Sequence, residues 1–194
     1  MALLEHEHAP VYRSILGQIY HVLPRQIQDL HDETVEKTAR GHVRIEGGGH
    51  GLNRFLARLF HLPKPSDDVP IELTRRIQGE KESWQIVFGD ETLSFSQEIG
   101  KGRESGMVVG RIGPVTLPCA VRVRNNGLFF KQQGASIFGI PLPRFLWLRL
   151  CIREAVIDGH YVFDVTVDFP FVGRLLRCRG NLRTDSFIAM PDEV

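Results

Sequence analysis

Apolar side chains recur at every second position between residues 70 and 182, whereas before residue 63 they recur every three or four. A strand turns alternate side chains to opposite faces and a helix gathers i, i+3 and i+4 on one stripe, so the chain divides into a helical part and a strand part. Val11, Ile15, Leu16, Ile19, Val22 and Leu23 predict an amphipathic helix over 11–23, with Pro10 suited to its first turn. Pro24 ends that helix and opens a short second one, with Ile27, Leu30 and His31 on one side. The polar stretch 32–40 reads as a loop or frayed helix. Residues 41–46 read as a short strand, with Val43 and Ile45 on one face. A third helix is predicted at 52–62, with Leu52, Phe55, Leu56, Leu59 and Phe60 apolar and Arg54, Arg58 and His61 elsewhere. Residues 63–68 are a connector.

Beyond Pro70 the alternation is sustained. Ile71, Leu73, Arg75 and Ile77 share one face, then Trp84, Ile86 and Phe88, then Leu93, Phe95, Gln97 and Ile99. Further runs lie at 106–112, 117–124 and 128–133. Leu148, Leu150, Ile152, Glu154 and Val156 share a face, and so do Tyr161, Phe163, Val165, Val167 and Phe169. A last strand covers about 172–182. Gly89-Asp90, Asn126-Gly127 and Asp158-Gly159 are short turn signals between sequential strands, the mark of an antiparallel meander with one buried face. The predicted fold class is α+β: a curved antiparallel β-meander of about eight strands, a partial barrel packed on N-terminal helices. The predicted organisation is a flexible tail at 1–10, a single α+β domain at 11–184 and a C-terminal tail at 185–194.

Residues 139–146, Gly-Ile-Pro-Leu-Pro-Arg-Phe-Leu, interrupt the strands. Proline has no N–H and a fixed φ, so neither Pro141 nor Pro143 belongs in a central strand. The segment reads as a rigid corner before the strand of Glu154, and its apolar residues as a rim or cover.

Charge and cysteines narrow the function classes. Lys and Arg number 24 and Asp and Glu 23, a balance that argues against a dedicated nucleic-acid binder. Arginines 111, 122, 124, 174, 177, 179 and 183 leave room for a local basic patch, and RNA stacking on interleaved aromatics is a poor third choice. Cys119, Cys151 and Cys178 have no C-x-x-C spacing, so they read as free thiols in a reducing compartment rather than a zinc or dithiol site. The first residues lack a basic, then apolar, leader pattern, and no apolar run approaches the ~20 residues of a membrane span. A cytoplasmic location follows as an expectation.

Glu154 is the sharpest candidate for chemistry. A carboxylate on an apolar strand face must be paired or neutralised. Arg75 occupies the analogous place between Leu73 and Ile77, so a Glu154–Arg75 ion pair in the concavity would resolve both. Such a pair is either a buried strut or the polar anchor of a ligand in an apolar cup, or it supplies a general base. His31 closes an apolar helix face, as a packed residue or as an acid or base near neutrality. No Ser or Cys carries a nucleophile signature. Gly47-Gly48-Gly49-His50-Gly51 precedes a helix but lacks the Lys-Ser/Thr of a P-loop, and reads as a mobile turn. His6 and His8 are spaced like metal ligands but lie in the predicted tail without a third partner.

Several elements carry a resemblance in their order and spacing. They are Tyr12-Arg13-Ser14-Ile15-Leu16-Gly17, Leu23-Pro24, Leu30-His31, Gly41 with Val43, Trp84 with Phe88 and Ser94, Gly139-Ile140-Pro141-Leu142-Pro143, Phe163-Asp164-Val165 with Pro170 and Gly173, and Arg179-Gly180. From Tyr12 to Leu182 the chain resembles the bacterial family of domain of unknown function 4166. The resemblance implies no established activity. It implies an accessory role beside redox enzymes, because some relatives join such a domain to a dehydrogenase-like nucleotide-binding domain. Where relatives often place an arginine after the tryptophan, this chain has Gln85-Ile86-Val87. Glu154, His31 and Asp164 fall at positions the family keeps polar.

The leading expectation is a non-catalytic module that binds a hydrophobic or lipid-like small molecule between sheet and helices. Its expected contacts are Glu154, Arg75, His31, Trp84, Pro141 and Phe145, with no cofactor and no metal. One alternative is an interaction domain for a dehydrogenase-like protein, with Phe138, Phe145 or Trp147 exposed. Another is an enzyme using Glu154, with His31 or Asp164, as acid and base.

Overall fold

The computed structural model describes residues 10–32, 36–49, 51–59 and 62–184. The predicted tails, but for Pro10, and with them His6 and His8, lie outside the described residues, as do Phe60 and His61. Twelve strands form one antiparallel sheet: β1 (Glu36–Gly47), β2 (Ser66–Gln78), β3 (Lys81–Phe88), β4 (Glu91–Ile99), β5 (Val108–Ile112), β6 (Val115–Arg124), β7 (Gly127–Gln132), β8 (Ser136–Ile137), β9 (Ile140–Pro141), β10 (Arg149–Ile157), β11 (His160–Phe169) and β12 (Gly173–Thr184). β1 pairs with β12 from Ala39↔Thr184 to Gly47↔Leu176, and β7 pairs with β10. These two ladders close ten strands into a barrel, and β8 and β9 are extra strands attached to the start of β6. The expected partial barrel of about eight strands is therefore corrected to a closed one of ten.

Two signals account for the difference. The polar stretch 32–40 contains the first half of β1, whose inward residues Lys37 and Ala39 are buried while Glu36 and Arg40 face out. At the β1–β12 seam, Gly41 and Gly180 face the Asn181 and His42 carbonyls too closely to admit a Cβ. Glycine in a strand interior marks such close approach, which lets the sheet bend onto itself.

Turn chemistry sets the connections. Asn125 and Asn126 (φ 49° and 56°) and Asp158 and Gly159 (φ 50° and 77°) make the left-handed pairs that match strand twist in two-residue hairpins. The first pair lies one residue earlier than the predicted Asn126-Gly127.

The ten strands alternate in direction, so their connections sort to two ends. At one end sit α1 (Val11–Leu16), a 3₁₀ segment (Gly17–Val22) and α2 (Arg25–Leu30). The predicted single helix over 11–23 breaks at Gly17, whose φ of 55° no continuing helix adopts. α1 packs on β4–β6 and α2 on β10 and β11, plugging that end. Asp29 fastens α2 by accepting from Lys37 Nζ (3.0 Å) and from Thr184 Oγ1. Gln26 adds a bond to the Gly159 carbonyl, 3.0 Å.

The opposite end is the mouth. It carries the β1–β2 connection with α3 (Gly51–Leu59), the two-residue turns Gly89-Asp90 and Gly113-Pro114, the proline segment between β7 and β10, and the short β11–β12 loop. The β7–β10 ladder spans only four pairs and stops at Lys131↔Cys151. Beyond it the Gln132 side chain accepts from the Leu150 N–H at 2.9 Å, in place of a strand pair.

Candidate functional site

Alternation along the inward faces builds an apolar enclosure. Leu73, Ile86, Phe95, Phe130, Ile152 and Val165 are among its walls, contributed by six strands. It surrounds a cavity of ≈ 210 Å³. The same alternation that points Leu150 and Ile152 inward also points Glu154 inward, towards the plugged end.

His31 comes to Glu154 from the helix side. It is the C-cap of α2, its backbone N–H tied to the Ile27 and Gln28 carbonyls, and it is 1% exposed. His31 Nε2 lies 2.8 Å from Glu154 Oε2. Its Nδ1 is buried with no hydrogen-bond partner among the described residues. The imidazole packs against Tyr12 (4.0 Å between ring centres) and Trp84 (5.7 Å), and Trp84 stacks on Phe95. The Tyr12 hydroxyl donates to Gln97 Oε1 at 2.6 Å.

Both cavity tyrosines are held protonated. Burial pushes the Tyr12 phenol well above its ordinary range, helped by the nearby charges of Glu154 and Glu82. Burial does the same to Tyr161, and the charge of Glu154 and a hydrogen bond to it add to the effect. A neutral phenol can donate, so Tyr161 donates to the Glu154 carboxylate beside His31, while Tyr12 gives its proton to Gln97. The cysteines Cys119 and Cys178 also line the cavity, and burial pushes both thiols up to about 12.

The expected Glu154–Arg75 pair is replaced by two separate arrangements. Arg75, fully buried, bonds the Asp32 carbonyl at 2.8 Å and its Oδ1 at 3.2 Å, and lies 3.7 Å from Glu82 Oε1. Glu82 accepts from the Val11 N–H and the Trp84 indole N–H, both at 3.3 Å. This cluster lies beside the cavity rather than on its wall. β2 and β10 stand four places apart in the ten-strand ring, so Glu154 meets a helix residue before it meets Arg75.

Of the six expected contacts, Glu154, His31 and Trp84 line the cavity. Pro141 and Phe145 are exposed, on the proline segment at the mouth end. Asp164 faces outward, where the Arg177 guanidinium donates to it at 2.6 and 3.1 Å and holds its carboxyl below the usual range. An acid–base trio with Asp164 is thereby excluded, because it lies on the other face of the sheet from Glu154 and His31. What remains is a His–Glu dyad that can exchange a proton or hydrogen bond with a group bound in the cavity. Gln97 and Tyr161 were not singled out from the sequence, although period-2 counting puts both on inward faces. Among the described residues no cluster of His, Cys, Asp or Glu could hold a metal ion. No described helix is long and apolar enough to cross a membrane.

The family model for domain of unknown function DUF4166 matches residues 23–182. The chain belongs to this family. No curated protein matches it. The DUF4166 match covers α2, the closed barrel and nearly all of β12, so the cavity and the His31–Glu154 dyad lie within the family region. It also covers the Gly-Ile-Pro-Leu-Pro and Phe-Asp-Val elements on which the resemblance was read.

Proposed function

We propose that the barrel binds a small, largely apolar molecule whose one polar end meets the His31–Glu154 dyad. The observation that carries this reading is the cavity of ≈ 210 Å³ with hydrocarbon walls and convergent polar groups at one end. Ligand sites combine those two features, and small barrels hold single ligands in this way. The volume lies between the roughly 150 Å³ that accepts benzene and the roughly 300–1,000 Å³ of drug-sized pockets. A medium-length chain or one to two rings is the matching size. Glu154 makes the anchor an acceptor, so a neutral hydroxyl or N–H head suits it better than a carboxylate. The orphaned Nδ1 of His31 offers a second polar contact.

Titration with hexanol, octanol, decanol and 2-naphthol, followed calorimetrically in vesicle-free buffer, tests the reading. Saturable binding is expected, tightening roughly three- to fourfold per methylene until the chain outgrows the cavity. Glu154→Gln should weaken octanol roughly tenfold while leaving the chain-length trend intact. Filling the space with Cys178→Phe should abolish binding. Absence of saturable binding for all four probes, or binding indifferent to Cys178→Phe in a folded variant, overturns the proposal.

A further inference from the structure

The mouth carries a surface that the cavity reading does not use. Among the described residues, seven of the ten exposed large apolar side chains belong to its connections: Leu52 and Phe55 on α3, Phe138, Ile140, Phe145 and Leu146 on the proline segment, and Phe171 in the β11–β12 loop. Phe138 is 82% exposed and Phe171 93%, values that no core role explains. The strand order makes the three connections consecutive around the barrel, since β2-β1, β12-β11 and β10-β7 are neighbours. They form one arc at the end of the barrel opposite α1 and α2.

Basic residues predominate in the loops of the same arc, and the nearby Asp67 and Asp68 at the start of β2 are engaged by Arg44 and His42. Residues 48–65, 133–149 and 170–174 contain Arg54, Arg58, Lys64, Arg144, Arg149 and Arg174 and no carboxylate, in a chain whose formal charge is only +1. Arg54, Arg58, Arg144, Arg149 and Arg174 are exposed. Lys64 and Arg174 reach Glu91 and Asp168 from neighbouring strands, and Arg144 lies over the Trp147 ring. Asp90, in the tight β3–β4 turn, stands outside the arc. Exposed aromatics rimmed by arginine, on an amphipathic helix and a stiff proline segment, are the features that seat a protein in the headgroup region of an anionic bilayer.

We propose that the mouth docks on an anionic lipid surface, Phe55, Phe138, Phe145 and Phe171 entering the headgroup–acyl boundary and Arg54, Arg58 and Arg149 meeting lipid phosphates. The proposal deepens the ligand reading, and rests on it in one respect: docking at the mouth lets an apolar ligand pass between bilayer and cavity without crossing water. The occupant is a membrane rather than a protein because the apolar rings stand beside Arg54, Arg58 and Arg149, exposed cations that the described contacts leave without a carboxylate, which fits an anionic plane.

Co-sedimentation with vesicles of phosphatidylcholine, and of equal phosphatidylcholine and phosphatidylglycerol, provides the test. Binding to the anionic vesicles should be at least about tenfold tighter, and should fall roughly fivefold for each of Arg54→Gln and Arg58→Gln. Phe138→Ser with Phe171→Ser should remove binding while leaving the melting temperature unchanged. Equal affinity for both vesicles, or binding indifferent to the double Phe variant, overturns docking. So does a concentration-dependent dimer, or a stable complex with a dehydrogenase-like protein, that is lost with the same two phenylalanines while vesicles stay unbound. Alkanol binding is measured without vesicles, so the two proposals fail separately: vesicle binding without alkanol binding removes only the ligand, and the reverse removes only the membrane.

Discussion

Beneath α2, Asp29, Asp32, Lys37, Arg75 and Glu82 are interlocked and largely withdrawn from water, whereas the mouth arc exposes rings and cations that the described contacts leave mostly unengaged. Each end spends its unusual residues differently. At the plugged end charge sits inside and is satisfied by other charges. At the mouth apolar surface sits outside and is covered by none of the described residues. Buried charge needs a partner within the chain, so substitutions at the plugged end should register as stability. Exposed rings stabilise little, so substitutions at the mouth should register only in binding.

The comparison can be broken most severely at Arg75. Arg75→Ala leaves Glu82 buried beside Trp84 without its cation, and removing one partner of a buried pair costs about 3–5 kcal/mol. Urea unfolding should show that loss. A loss under about 1 kcal/mol would mean that the cluster is solvated and the two ends are not distinct.

Alkaline pH tests the enclosure between them. Cys119 and Cys178 are held up to about 12 when folded, while an unfolded thiol titrates near 8.5. Between those values the unfolded chain has released protons that the folded chain keeps, so stability is complete below about pH 8.5 and falls as pH rises towards 12. The slope is at most about 1.4 kcal/mol per pH unit for each thiol. Melting temperatures from pH 8 to 11 should decline, and Cys119→Ala should flatten the decline.

The seam at the mouth should give a smaller effect. Gln132→Ala deprives the Leu150 N–H of its acceptor and should cost on the order of 1 kcal/mol. If melting is unchanged, solvent already reaches that seam. The smallest effect is expected on the arc itself. Phe138→Ser and Phe171→Ser should each shift unfolding by no more than about 0.5 kcal/mol. A larger loss would show these rings to be packed, and would remove the contrast between the ends.

The alternation from Ile71 to Leu182 was legible because each inward residue sits two places from the next, and this put Glu154, Gln97 and Tyr161 on the correct face. Closure was not legible, because β1 and β12 are far apart in the chain and no local period reports their pairing. β1 was further hidden by Lys37, an inward residue whose charge breaks the pattern until Asp29 and Asp32 are placed beside it. The dyad was half legible. Glu154 demanded a partner, but His31 reaches it through the end of a helix, a placement that strand counting cannot supply. Glu82 was legible and passed over: counting back from Phe88, Ile86 and Trp84 puts it inward.

The β8–β9 hairpin has one more consequence. β9 lies at the end of the strand order, a border only two residues long. Pro141 occupies that border and offers no N–H to an incoming chain. Another copy of the protein therefore finds little backbone to extend along β9. Pro141→Val would restore the donor, and slow aggregation on storage is the behaviour that proline at this position guards against.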